Sequence, residues 1–227
     1  MLEHSWKIER AIELLKQGKF ILIYDADSRE RETDIVIPAQ FVTSEVIKKM
    51  RKDAGGLICV TLPYFIKKKL SIPYLTEIYQ QTKNEIFDAL APYDIPYDNN
   101  SSFGITINHR KTFTGITDID RALTISEFAR IVFLAMKIDE KDAKKIFGKN
   151  FRSPGHVPTL IAASALLNER AGHTELSTAL LMLSDLIPSA CICELMGEYG
   201  KAMSKDEAVE YAYKEESIFL EGAEIIE

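Results

Sequence analysis

Five carboxylates and two arginines are crowded into the ten residues Asp25–Asp34, D-A-D-S-R-E-R-E-T-D. If Glu30, Glu32 and Asp34 are extended, the two-residue side-chain period of a strand places all three on one face. Like charges that close raise one another's pKa values unless a cation or an arginine compensates. Hard oxygen ligands of this kind suit Mg²⁺ or Mn²⁺. A solvated charged turn is the competing reading.

Two of the four histidines stand in matching contexts, Arg152-Ser-Pro-Gly-His156 and Arg170-Ala-Gly-His173-Thr174. Each is expected at a glycine turn entering a helix. In the second motif every part has a use. Gly172 lets backbone approach a ligand, and Thr174 can cap the helix. Free N–H groups with the helix dipole favour an anion. Arg170 adds a bidentate phosphate donor, and His173 beside it can ligate a metal recruited by the acidic loop. His109, between Asn108 and Arg110-Lys111, reads as solvated surface, and His4 as part of a mobile terminus. Glu194 closes the apolar run of C-I-C-E-L-M-G, where burying an ionisable group is costly unless it is paired or functional. It suits a general acid/base, although a salt bridge to an arginine would account for it as well. Thr112 and Thr114, in T-F-T-G, can donate hydroxyls to a phosphate.

The elements that must position these groups follow from periodicity. Phe20–Tyr24 and Ile35–Ala39 are short Ile/Val-rich runs that predict strands flanking the acidic loop. Strands are also expected over Leu57–Leu62, Phe103–Asn108 and Ser189–Leu195. Ile8, Ala11, Ile12 and Leu15 mark an amphipathic helix stopped by Gly18. Further helices are expected from Thr43 or Ser44 to Asp53, around Asn84–Leu90, over Asp139–Phe147 up to Gly148, over Thr159–Glu169, and after R-A-G-H-T-E to about Leu186. Thr124-Ile-Ser-Glu127 and Ser204-Lys-Asp-Glu207 have the form of capping boxes opening helices. Strands alternating with helices give an α/β (α+β) class: a single domain over residues 1–227, a mixed sheet layered by helices in an α/β/α sandwich.

Bulk properties narrow the function classes. The chain has 227 residues, 46% hydrophobic and 27% charged, the balance of a globular domain with a substantial core. A net charge of −6 argues against general nucleic-acid binding. No apolar stretch approaches the ~20 residues that span a bilayer, and Met1–Lys7 lacks the apolar core of a signal peptide. Three cysteines without metal-site spacing point to a reducing cytoplasm, with Cys191 and Cys193 as core residues.

Taken in order, D-A-D-S-R-E-R-E-T-D, D-A-G-G-L-I-C, T-F-T-G-I-T-D-I-D-R-A, R-S-P-G-H-V, R-A-G-H-T-E and C-E-L-M-G resemble the 3,4-dihydroxy-2-butanone 4-phosphate synthases of riboflavin biosynthesis, in their stand-alone archaeal type. The resemblance runs from about residue 8 to residue 220. It implies a homodimeric, Mg²⁺- or Mn²⁺-dependent lyase with two ions per site, converting ribulose 5-phosphate to the four-carbon ketone phosphate and formate. On the matching positions it implies Glu30 and His173 as metal ligands. It places Arg29, Glu30, Asp34, Thr114 and the segment Arg170, Ala171, Gly172, His173 and Thr174 on the substrate, the last segment taking the phosphate. His156, Glu194 and Glu32 would be catalytic. Active sites at the subunit interface are implied, with Thr114 and His156 reaching the neighbouring subunit's substrate. Arg31 departs from the pattern, which usually has a small residue such as glycine or asparagine there. The segment Ile131–Lys149 is longer than typical, and no region resembling GTP cyclohydrolase II follows. Another metal-dependent sugar-phosphate isomerase or aldolase, or a non-catalytic phosphate- or nucleotide-binding protein, would share the metal and phosphate features.

Overall fold

Short runs rich in Ile, Val, Leu and Cys, buried on both sides, make the central strands. The structure is a computed structural model describing residues 2–92 and 94–227, with side chains from Trp6 onward, so the His4 side chain lies outside the described residues. Among these residues the strands are β1 (Ile21–Tyr24), β2 (Thr33–Pro38), β3 (Cys59–Leu62), β4 (Phe103–His109), β5 (Phe151–Ile161), β6 (Ala190–Glu194) and β7 (Phe219–Glu221). They form one seven-stranded sheet in the order β4-β5-β3-β6-β2-β1-β7. β1–β7 and β3–β5 are parallel and the remaining pairs antiparallel, so the sheet is mixed.

The helices are α1 (Leu2–Lys16), α2 (Ser44–Lys49, continued by a π-helical turn over Met50–Ala54), α3 (Tyr64–Leu70), α4 (Leu75–Thr82), α5 (Glu85–Ala89), α6 (Asp118–Ala135), α7 (Glu140–Asn150), α8 (His173–Leu183), α9 (Lys205–Lys214) and α10 (Gly222–Ile226). Strand alternation divides the core in two. Leu22, Ile35, Ile37, Val60, Cys191 and Cys193 pack with residues of α2, α3, α6, α7 and α9. Ile21, Ile23, Val36, Cys59 and Ile192 face the other way, onto α1 and α8. The sheet therefore lies between two helical layers, the expected α/β/α sandwich. Each fully buried Leu or Ile contributes about 1.5–3 kcal/mol. Because both faces of the central strands are covered, they read as continuous apolar runs rather than alternating ones.

Several local expectations give way to tertiary pairing. The helix expected over Thr159–Glu169 is instead the end of β5, hydrogen-bonded between β3 and β4, followed by one 3₁₀ turn at Leu166–Asn168. The apolar V-P-T-L-I run satisfies a buried strand as well as a buried helix, and the sheet decides. Thr124 does not open a helix: α6 begins at Asp118 behind the Thr117 cap, and the Thr124 hydroxyl donates to Asp120 O inside it. Gly148 does not stop α7, which runs on to Asn150. His109 is buried rather than solvated, edge-on to Phe151 at 5.3 Å, with burial the first cause of its lowered pKa. Its charged neighbours Arg110 and Lys111 lie exposed in the turn that follows the strand. The Ser204–Glu207 capping box forms as expected.

Candidate active site

The acidic loop is shaped by its first residue. Asp25 is buried at the end of β1, and its carboxylate accepts the backbone N–H groups of Glu30 (2.9 Å) and Glu32 (3.2 Å). This folds the loop back on itself, with Arg31 in the left-handed region at φ 60°. Glu30 to Asp34 is therefore not one extended run, contrary to the simplest expectation. Glu30, Glu32 and Asp34 nevertheless line a single cleft of about 210 Å³. Across the β2–β6 pair Asp34 lies in register with Glu194, which faces the same cleft. Glu194 accepts the Leu57 N–H at 2.7 Å, and among the described residues no arginine pairs with it.

His173 is the first residue of α8, with Gly172 rather than Thr174 in the capping position. A Cβ on Gly172 would lie 2.3 Å from the Arg170 guanidinium, so glycine here makes room for that side chain. His173 is 5% exposed and sits among carboxylates: Nδ1 is 3.5 Å from Glu30 Oε2, and Nε2 is 3.7 Å from Asp34 Oδ1 and 3.1 Å from Glu32 O. Burial alone would lower the His173 pKa, but Asp34, Glu30 and Asp25 together raise it to about 10. Burial drives Asp34 up to about 8, against the pull of His173. Burial also lifts Glu32, helped by Glu30 and Glu194. For Glu30 burial is outweighed by His173, Arg170 and Arg29, which hold its carboxyl below the usual range.

This donor set fits a hard divalent cation. Ligand atoms of Asp25, Glu30 and His173 lie within 4.8 Å of one another. Asp25 already spends both oxygens on backbone N–H groups, so it shapes the site. Asp34 Oδ1 is buried with no hydrogen bond, an orphan that a cation would satisfy. Cation affinity is expected to rise with pH, because the ion must displace the proton that the carboxylates stabilise on His173 below its pKa of about 10. Calorimetric Mn²⁺ titration in buffers of different ionisation enthalpy should show proton release at pH 7 that fades towards pH 10; affinity independent of pH would contradict this.

Arg170 is pinned on two sides. Nη1 donates to the fully buried Glu175 at 2.6 Å, and Nε to Asp98, which Arg29 also holds at 3.2 Å. Asp98 thus stands between two guanidinium groups, where an external anion would compete with it. Neither Asp98 nor Glu175 was legible as part of the site, and Asp25, inside the acidic loop, gave no sign of its loop-shaping role. Asp98 lies in a polar loop far along the chain from both arginines, and no local pattern marks it. Arg31 lies outside the cleft lining, its Nε donating to Asp27 O at 2.6 Å. A non-glycine residue in left-handed backbone costs about 1–2 kcal/mol. Arg31→Gly is therefore expected to keep turnover within about tenfold, ~1.4 kcal/mol in barrier. Steady-state kinetics check this; a folded variant slower by orders of magnitude would put Arg31 on the substrate. Cys59 lines the cleft, but burial pushes its thiol well above the ordinary range, so it is no ready nucleophile.

Two sequence candidates lie elsewhere. His156 is not at a helix entry: it is exposed in β5 and absent from the cleft lining. Thr114 is exposed beside it, the Asn108 amide bridging Thr114 O (3.4 Å) and His156 Nδ1 (3.1 Å). Phe113, Ile116 and Ile119, which flank Thr114, are 92%, 50% and 72% exposed. Apolar exposure of this kind marks contact surfaces.

Comparison with known proteins agrees with the fold and the cleft. The family model for 3,4-dihydroxy-2-butanone 4-phosphate synthase matches residues 9–227. The synthase of Methanothermobacter thermautotrophicus is 46% identical over 97% of this chain and 94% of the relative. That of Archaeoglobus fulgidus is 43% identical over 96% and 92%. A solved synthase structure from Candida albicans is 27% identical with a TM-score of 0.74, covering 96% of this chain and 95% of that one. A synthase structure in complex with two magnesium ions is 26% identical with a TM-score of 0.73, covering 96% and 94%. With the motifs, the sandwich and near full-length identity in accord, the chain belongs to the 3,4-dihydroxy-2-butanone 4-phosphate synthase family.

Proposed function

We propose that this chain, acting as one catalytic domain in the cytoplasm, converts D-ribulose 5-phosphate to L-3,4-dihydroxy-2-butanone 4-phosphate and formate for riboflavin biosynthesis. The observation that carries the reading is the convergence of Glu30, Glu32, Asp34 and Glu194 on His173 in one cleft whose rim holds Arg170. Mg²⁺ or Mn²⁺, taken as two ions per site, would supply a Lewis acid for the sugar oxygens, held by Glu30 and His173; a related synthase structure is in complex with two magnesium ions.

The protein's own groups do the rest. Enolisation, loss of the 1-hydroxyl, carbon migration and excision of C4 each need a proton taken or given at a defined face. Glu32 and Glu194 face the cleft from neighbouring strand ends. Glu32, lifted by burial and by like charges, holds a proton more readily than an ordinary carboxylate and so can return one to the substrate. Asp34 orients the sugar hydroxyls against the sheet. Arg29 and the Arg170–Thr174 segment take the phosphate, which displaces Asp98 from between the guanidinium groups. The charge of the anion replaces that of Asp98, so neither arginine is left uncompensated.

We take the active unit to be a homodimer in which Thr114 and His156 of one subunit complete the partner's cleft. In support, neither residue lines its own chain's cleft, both are exposed, and Phe113, Ile116 and Ile119 near Thr114 leave apolar surface uncovered. Incubation with ribulose 5-phosphate and Mg²⁺, with formate assayed, tests the reaction. Formate stoichiometric with the ketone phosphate is expected, whereas turnover without formate would indicate an isomerase or aldolase.

A further inference from the structure

We propose that Asn108 is a positioning residue that holds His156 as the tautomer with its proton on Nε2, so that the ring presents an N–H to the substrate. The assignment rests on the reading of His156 as part of the partner's site, and it goes beyond that reading by specifying what the ring can do there. Asn108 is 3% exposed, and three contacts surround its amide. Oδ1 accepts the backbone N–H of His156 at 2.8 Å, while Nδ2 faces Thr114 O at 3.4 Å and His156 Nδ1 at 3.1 Å. A backbone N–H can only donate and a carbonyl can only accept, so the amide has one chemically allowed orientation. With both Nδ2 hydrogens then directed outward, the neutral ring must accept at Nδ1 and carry its proton at Nε2.

The fold makes this arrangement hard to escape. The β4–β5 ladder pairs Ile107 with Val157 but Asn108 with Arg152, so Ser153–His156 bulge out of the strand. In that bulge the Asn108 side chain takes the His156 N–H. Gly115 packs directly on the amide, since a Cβ there (φ +98°) would lie 2.0 Å from Asn108 Nδ2, and Gly155 lets the bulge approach the strand, since a Cβ there would lie 2.3 Å from the Asn108 backbone N. A proton on Nδ1 would point at an NH₂ group. His156 therefore serves as a hydrogen-bond donor to an oxyanion through Nε2–H, and the proton-accepting work falls to the carboxylates of the cleft.

Nitrogen-15 correlation spectra of the full chain at a pH where the ring is neutral test this, with His156→Gln identifying the His156 signals. The wild type is expected to show a pyrrole-type Nε2 and a pyridine-type Nδ1. Asn108→Asp, whose carboxylate accepts from both the backbone N–H and the ring, should reverse the tautomer. It should also lower kcat for formate release at least about a hundredfold with KM little changed. A wild-type ring protonated at Nδ1 overturns the proposal, and that measurement needs no variant of Asn108. A reversed tautomer with unchanged turnover also overturns it, because Asn108 would then position nothing the reaction uses. Absence of formate from the wild type would refute the proposed reaction, while the wild-type tautomer would still decide the role of Asn108.

Discussion

Glu30→Gln is expected to abolish formate release while the chain stays folded, and His173→Ala to do the same. The two residues are far apart in the chain, yet their side chains meet at 3.5 Å inside a cleft that carries five carboxylates. Glu30→Gln keeps size but removes the anion that His173, Arg170 and Arg29 hold ionised, and it does so at the partly exposed cleft rather than in the core, so the fold survives. His173→Ala removes the nitrogen ligand and leaves Asp34 to take up a proton, which its pKa of about 8 already favours. Altering groups that merely orient metal ligands costs ten- to a hundredfold in affinity, so losing a ligand should weaken Mn²⁺ binding by more than about a hundredfold. Mn²⁺ titration of the wild type and both variants with substrate present is the measurement. Unchanged affinity in both would sink the shared site. Arg170→Ala should behave differently. A phosphate contact shared by ground and transition states appears in KM. Removing Arg170 also leaves the fully buried Glu175 without its partner, a loss of about 3–5 kcal/mol in stability. Thermal unfolding separates the two effects.

Mixing two inactive variants should restore activity. His156→Ala damages the surface that Asn108 and Thr114 share, and Glu30→Gln damages the cleft. If a site takes its cleft from one subunit and His156 from the other, the mixed dimer contains one intact site and one doubly defective site. A twofold dimer exchanged at random from equal amounts would then show about a quarter of wild-type activity, half of the dimers being mixed with one working site each. The assay is formate release after denaturation and co-refolding, with tagged subunits confirming that mixed dimers formed. No recovery in demonstrably mixed dimers would place His156 and Glu30 in the same subunit's site or in no shared site at all.

Much of this arrangement could be read from residue order. The strands flanking the acidic loop were legible because they are buried on both faces, which demands uninterrupted Ile, Val and Leu whatever the neighbours. The Ser204 capping box was legible because its hydrogen bonds close within four residues. Asp25–Asp34 and Arg170–Thr174 stood out because charge and glycine concentrate there beyond what a surface turn needs.

What could not be read depends on pairing between distant segments. V-P-T-L-I suits a buried helix or a buried strand equally until β3 and β4 offer hydrogen bonds on both sides. The Thr124 pattern matches a cap that Thr117 already provides, and a local motif cannot report whether a helix has begun upstream. His109 looked solvated because Arg110 and Lys111 follow it, but those two lie in the exposed turn while His109 ends the strand and packs on Phe151. Asp25 and Asp98 acquire their roles only through contacts made by the folded chain, one with backbone N–H groups and the other with two arginines. The sequence by itself determined which residue types crowd into which loops, and hence the metal and anion chemistry available. Only the tertiary structure decided which of them share a cleft and which are left facing outward, because strand register and helix docking bring together groups that the linear order keeps apart.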